Sequence, residues 1–384
     1  MVVLNARRCC RVAFSLRGIR MKVSYRAGIV LFCLSCCSLP VFAQQSAPAV
    51  QLQPGPKPPS DTANQLVLDV VVTDKAGKPV KGLEQKDFAV LDNGHPQSIL
   101  SFKATVASPA TADLQEPPIK IILIVDEVNT NFSRVSYERN EIKKLLQQNN
   151  GVMAHPMSMA FFSDAGTEIQ NASSRDGNAI LAAFDQHETG LRSIRRGQGF
   201  YGAVERFQLS LNTLNSLIVK EAQTPGRKIV IWISPGWPLL SGPGIEQSAK
   251  QQANLFTTIV ALSAAMRAER MTLYNVDPEG ADAAGEVDSF YYKEFLKPVA
   301  TTKKAETGNV ALQVLSLQSG GLVFTASNDI AGQIARCIAD ADAFYTLTLD
   351  AAKADKPNEY HALEVKVAIP GLTARTRSGY YAQP

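Results

Sequence analysis

The stretch IKIILIVD at residues 119–126 has Lys120 as the one polar side chain before its closing Asp126. A run so evenly apolar and so short is what the middle of a parallel sheet needs when helices cover both of its faces. The same character returns in MSMAFFSD (157–164), RKIVIWIS (227–234) and MTLYNVD (271–277). Between these runs the apolar residues fall at helical spacing. Val135, Ile142, Leu145 and Leu146 form one stripe, Ala203, Phe207, Leu211, Leu214 and Ile218 a second, and Leu255, Ile259, Leu262 and Met266 a third. GTEIQNAS after residue 165 reads as an edge or hairpin piece, and residues 278–306, acidic early and basic late, as a polar insertion loop. NVALQVLSLQSGG with its closing Gly320-Gly321, the strand LVFTA and a helix over 329–342 complete the series, with Cys337 as a small buried helix residue. Alternation of this kind predicts an α/β domain over residues 116–342, a Rossmann-like, doubly wound, mainly parallel sheet.

Both flanks read as β. In residues 64–104, Leu66, Leu68, Val70 and Val72 alternate onto one face, residues 76–79 are turn chemistry, and DFAVLDNGHPQSILSF is two short strands about an Asp92-Asn93-Gly94 turn. In residues 343–384, FYTLTLD, HALEVKVAI and TARTRSGYYA read as three strands. So few strands are marginal alone in water. The two flanks are therefore expected to pair into one small β-sandwich that carries the α/β domain as an insertion, the alternative being that each packs separately on that domain.

The first 43 residues are of a different kind. They hold seven basic and no acidic side chains, and five of the six cysteines. From Met21, a start with Lys22 and Arg26, an apolar run from Ala27 to Cys37 and Val41-Phe42-Ala43 read as a cleaved signal peptide. Translation starting at Met21 fits this reading, and the residues before Cys36 and Cys37 are poor for lipid attachment. Residues 44–63, rich in Pro, Gln and Ser, read as a linker. The expected location is therefore secreted or periplasmic, with no membrane span once the leader is removed. Taking the seven leader charges from the 39 basic side chains leaves 32 against 35 acidic ones, a net charge of −3. With no basic run, the body has no electrostatic footprint for nucleic acid. Cys337 alone cannot form an internal disulfide.

The β preamble DVVVTDKAGKPVKGLEQKDFAVLDNGHPQSILSF, the segments IILIVDEVNT and GRKIVIWISPGWP, and the terminal EVKVAIPGLTARTRSGYYA resemble the VWFA-related domain proteins of acidobacteria, over nearly all of residues 64–382. The resemblance implies an exported chain with a von Willebrand factor A-like domain. It further implies a metal-ion-dependent adhesion site, where an Asp-x-Ser-x-Ser run, a Thr and a second Asp hold Mg²⁺ by hard oxygens. Here that run reads Asp126-Glu127-Val128-Asn129-Thr130. Asp126 matches, Thr130 can replace the last Ser, Val128 has no donor, the second loop has no Thr before its helix, and Pro235 stands where the second Asp belongs. The site is read as degenerate, with Asp126 and Thr130 as remnants and no metal or other cofactor expected.

Enzyme readings fare worse. Gly197-x-Gly199-x-x-Gly202 follows a polar loop and not a strand, against the needs of a dinucleotide site. Ser234, Asp277 and His361 follow hydrolase order, but Pro235 lacks the N–H an oxyanion hole requires. The four histidines show no ligand spacing. The expectation is a binding module and not an enzyme. Its partner, a protein or cell-surface group, would meet Asn129, Phe132, Arg195, Arg196, Phe200, Tyr201 and Trp237 beyond the carboxyl ends of the strands. The alternative is a structural or assembly component of the cell envelope acting through the β-sandwich. Oligomeric state is not legible.

Overall fold

The computed structural model describes residues 65–107, 119–170, 172–187, 199–242, 245–281, 288–325 and 327–384. The leader, the Pro-rich linker, Arg195 and Arg196 lie outside them. The N-terminal flank supplies β1 (Gln65–Thr73), β2 (Phe88–Asp92), β3 (His95–Gln97) and β4 (Ile99–Val106). The chain then alternates through β5 (Ile119–Asp126), α1 (Phe132–Gln147), β6 (Val152–Ser163), β7 (Gly166–Ile169), β8 (Ser174–Asp176), α2 (Gly177–Gln186) and α3 (Gly199–Glu221). It continues with β9 (Arg227–Ile233), α4 (Ala249–Ala268), β10 (Met271–Val276), α5 (Asp288–Tyr291), α6 (Leu312–Gln318), β11 (Val323–Phe324) and α7 (Ile330–Ala339). It closes with β12 (Ala343–Asp350), β13 (Glu359–Val367), β14 (Thr373–Arg375) and β15 (Gly379–Ala382).

The result is a mixed α/β fold with one mostly parallel sheet and antiparallel sheets beside it. The large sheet runs β11-β10-β9-β5-β6-β7, with β8 also on β6; the first five strands pair in parallel, and β7 and β8 run antiparallel to β6. Alternation sorts β5 between two cores. Ile122 and Ile124 face Phe207, Leu214, Leu255 and Leu262 of α3 and α4, while Ile121, Leu123 and Val125 face Ile142, Leu145, Phe184 and Ile334 of α1, α2 and α7. Each such aliphatic side chain taken out of water contributes about 1.5–3 kcal/mol. Cys337 sits in the second of these cores. Gly321 is required where α6 turns back toward the sheet, because a Cβ there would lie 1.6 Å from the Leu273 carbonyl oxygen.

The two remaining sheets run β14-β1-β12-β4 and β15-β13-β2-β3, so each takes strands from both ends of the chain, all antiparallel. One hydrophobic core joins them, with Leu66, Leu68, Val70, Val72, Tyr345 and Leu347 from one sheet and Phe88, Val90, Leu363 and Tyr380 from the other. On the opposite face of β1 and β12, Val71 and Phe344 enter the core of the large sheet instead. Asn93 and Gly94 both have positive φ, as the tight turn between β2 and β3 demands.

Two expectations need correction. The insertion expected at residues 278–306 is not polar throughout: from residue 288 on, Tyr292, Phe295, Val299 and Ala305 are buried, and Asn309 just after it donates to the Phe295 carbonyl at 3.2 Å. Charged side chains alternate there with aromatic and aliphatic ones, and the latter decide which face turns inward. The segment TARTRSGYYA is not one strand either. It breaks at residues 376–378 and crosses from one antiparallel sheet to the other, held by Thr376 Oγ1 on the Asp69 carbonyl (2.8 Å) and Ser378 N–H on the Gln318 carbonyl (3.0 Å). Strand alternation cannot reveal such a crossing because the chain stays extended through it.

Candidate functional site

The chain leaves β5 for β6 on one side and later enters β9 on the other, so the strand order reverses at β5. In open α/β sheets a crevice forms beyond the carboxyl ends at that reversal. Asp126 closes β5 there, and Ser234 follows β9. Asp126 is 0 % exposed and accepts four hydrogen bonds from its own chain. Oδ1 takes the backbone N–H of Val128 (3.0 Å) and Asn129 (2.8 Å), while Oδ2 takes Asn129 Nδ2 (2.9 Å) and the Trp232 indole Nε1 (3.0 Å). Asn129 Nδ2 also reaches Ser210 Oγ at 3.0 Å, which ties the knot to α3. Burial pushes the carboxyl above its ordinary 3.8, against the pull of the donors from Asn129, Trp232 and Ser234.

The residues present do not fit the cation of an adhesion site. The four donors take up the lone pairs of Asp126 that a Mg²⁺ would need, and an indole N–H fills one direction of approach. Val128 is buried and offers no oxygen, and Pro235 offers no carboxylate. Thr130 Oγ1 is buried with no hydrogen-bond partner, a single neutral oxygen where an octahedral ion takes several. Among the described residues no group of three or more His, Cys, Asp or Glu side chains is arranged to hold a metal.

The face predicted to meet a partner is changed by this packing. Asn129 is 2 % exposed and spent on Asp126 and Ser210. Trp237 is 3 % exposed and lies edge-on to Trp232 with ring centroids 5.0 Å apart. Neither can touch a partner, because the tryptophan pair fills the space under the β9 loop. Phe200 is half-buried against the α3/α4 core, and Tyr201 beside it is 59 % exposed. Phe132 opens α1, its side chain outside the described ones, as are Arg195 and Arg196.

What sequence reading missed lies one residue further on. Between the β6–β7 hairpin and the end of α2 a groove of about 950 Å³ is lined by Glu127, Phe161, Ser163, Thr167, Glu168 and His187, among others. His187 stacks on Phe161 with centroids 3.8 Å apart, and its two ring nitrogens each lie 3.6 Å from a carboxylate, Nε2 from Glu127 and Nδ1 from Glu168. Glu127 is nearly buried and Glu168 mostly exposed. Arg139 holds the end of α2 in place through the Phe184 carbonyl (2.9 Å) and the His187 carbonyl (3.2 Å). The three residues are 41 and 19 positions apart in sequence, so no local spacing announces them; the one available signal was a second acidic residue directly after Asp126.

The hydrolase residues are spent elsewhere. Ser234 Oγ accepts from Gly236 N–H at 3.2 Å and turns its hydroxyl to Asp126. His361 is held by Asp92 across 2.8 Å within the β2/β13 sheet, with Tyr380 donating to the other oxygen of Asp92 at 2.8 Å.

The fold and site thus define an α/β protein with a consumed carboxylate and an acidic groove at its switch point. Among solved structures, the human COPII-coat protein Sec24c is similar at 10 % identity with a TM-score of 0.31, over 73 % of this chain and 46 % of that one. The SpRpn10 VWA domain is similar at 15 % identity with a TM-score of 0.20, over 46 % of this chain and 93 % of that one. This chain spans under half the length of the Sec24c chain. At such scores neither likeness carries an argument about this chain. No protein-family model and no curated protein matches the sequence. No helix among the described residues is long and apolar enough to cross a membrane.

Proposed function

We propose that the chain is an exported interaction module with a von Willebrand A-like domain, mounted on a β-sandwich made from the two flanks. It binds a protein or cell-surface partner beyond the carboxyl ends of the strands, without a divalent metal and without catalysis. The observation that carries this reading is the groove beside the switch point. It has the size of a ligand pocket, and two carboxylates, Glu127 and Glu168, line it together with His187. The chemistry suits a cationic group of the partner, a Lys or Arg side chain paired with the exposed Glu168 carboxylate beside the His187 ring. Asp126 supports the reading from the other side, since a carboxylate with four internal donors has nothing left for an ion or a substrate.

The second reading, an envelope component acting through the β-sandwich, draws on β4. Among the described residues β4 ends its sheet, and Leu100 and Val106 on it are exposed. One experiment separates the two. A photoreactive residue is placed at Gln186, in the groove lining, or at Leu100, and cross-linking is done in the cells that make the protein. Adducts of one defined partner from position 186, lost with Glu168→Lys and missing from position 100, are expected. Adducts from position 100 alone would move the function to the β-sandwich. Export is tested separately by sequencing the N-terminus of the mature protein, with Gln44 expected first.

A further inference from the structure

The crossing between β14 and β15 carries a nearly buried arginine that no carboxylate pairs with. Arg377 is 8 % exposed, in the seam between the antiparallel sheets and helices α4 and α6. Its guanidinium makes no ion pair and no side-chain hydrogen bond to any described residue. A guanidinium does not escape burial by losing its proton, so a buried arginine ordinarily finds a carboxylate or several acceptors. The carboxylate whose charge favours it, Asp69, is already engaged: Arg270 Nε donates to its Oδ2 at 3.0 Å, and Arg270 Nη2 and Thr346 Oγ1 (3.0 Å) to its Oδ1. The other charge it senses is Arg267, of the same sign. Burial and Arg267 both press against the charged form of Arg377.

A cavity of about 30 Å³ lies beside Arg377, lined by Ser263, Ser378 and Tyr360 and walled by Ile259, Met266 and Leu315. No acidic side chain lines it. Burial raises the Tyr360 phenol, which keeps its proton; it lies 3.4 Å from Ser378 Oγ, which in turn lies 3.5 Å from the Gln318 carbonyl, contacts long enough for either hydroxyl to turn to an anion instead. A positive group, hydroxyl donors and apolar walls around a space of one or two water molecules make a receptacle for a negative ion. Water there would hydrate the guanidinium but leave its charge unmatched, at low local dielectric. A sulfate or phosphate is too large, and would bring a second negative charge with no second cation on the cavity wall.

We propose that Arg377 and this cavity form a binding site for a small monovalent anion of the chloride class. The anion bridges the sheet-crossing segment to α4 and α6 and completes the seam between the β-sandwich and the α/β domain.

The test follows the thermal stability of the full chain at constant ionic strength while sodium gluconate is replaced by sodium chloride, and separately by bromide. A ligand that binds the folded state alone raises the melting temperature with its saturation. A saturable rise of about 3 °C or more is expected with chloride and bromide, and Arg377→Met should remove it. Bromide-soaked crystals of the unsubstituted protein should show an anomalous peak within hydrogen-bonding reach of the guanidinium, which decides the matter even if Arg377→Met does not fold. Equal melting temperatures in chloride and gluconate, or a cavity that holds water and no bromide, would overturn the proposal.

Discussion

Two regions of this molecule bury charge, and they treat it in opposite ways. At the carboxyl end of the large sheet, Asp126 is enclosed by four N–H donors, two from the backbone of its own turn and two from side chains. At the seam with the antiparallel sheets, arginines are enclosed instead. Arg270 finds Asp69, and Arg375 finds Asp340, which also accepts from Tyr274 at 2.7 Å. Arg377, two residues from Arg375, finds neither. The difference follows from geometry. A carboxylate at a strand end can be satisfied by the loop that leaves it, because backbone N–H groups lie within reach. A guanidinium has donors alone and needs a separate acceptor brought to it by another element. Satisfying an anion at a strand end is thus largely a local affair, with three of the four donors to Asp126 coming from residues 128 and 129, while neutralising a cation at a seam depends wholly on what the opposite wall offers.

The comparison breaks most visibly at Asp126. Asp126→Ala leaves four donors without their acceptor and should cost about 3–5 kcal/mol, read as a lower urea midpoint with an unchanged slope. A cost below about 1 kcal/mol would mean that water replaces the carboxylate and the knot is not closed. Asp340→Ala comes next, at about 3 kcal/mol, because it strands both Arg375 and the Tyr274 hydroxyl. Arg377→Met, in chloride-free buffer, should change stability little or raise it by about 1 kcal/mol, since it replaces an uncompensated buried charge by an apolar side chain. A loss as large as that of Asp340→Ala would show that Arg377 has a strong partner and would remove the contrast.

Two smaller effects sharpen it. Because burial outweighs its four donors and holds the Asp126 carboxyl above 3.8, the folded state gives up the carboxyl proton less readily than the unfolded chain does. Its contribution is fully present below that pH and is lost as pH rises through the folded value. The stability difference between the native protein and Asp126→Asn should therefore slope with pH in this window and flatten above it. The smallest effect expected is from metal: millimolar Mg²⁺ against EDTA should leave the melting temperature unchanged. A saturable rise abolished by Asp126→Ala would restore the adhesion-type site.

The mixed α/β character and the mostly parallel sheet were legible because they rest on local alternation of apolar and polar residues. Runs such as residues 119–126 admit few other placements. That Val128 and Pro235 lack the donors of an adhesion site was legible in the sequence, whereas the hydrogen bond from the indole of Trp232, 106 positions away, to Asp126 was not. Asn129 and Trp237 misled for the same reason. A polar or aromatic residue just past a strand end reads as exposed, and whether the neighbouring loop folds over it is settled by contacts distant in sequence.

What the sequence determined by itself was therefore whatever depends on periodicity: the strands, the helices, the Asn93-Gly94 turn and the two β flanks around an alternating middle. What the tertiary structure alone decided was where charge ends up. The groove of Glu127, Glu168 and His187 joins the end of β5, the β6–β7 hairpin and the end of α2. The seam at Arg377 exists because one extended segment switches sheets at Thr376 and faces helices formed over 50 residues earlier. Hydrophobic burial selects elements through patterns a few residues long, whereas compensation of a charge depends on which groups packing brings within a few ångströms, and no short pattern encodes that.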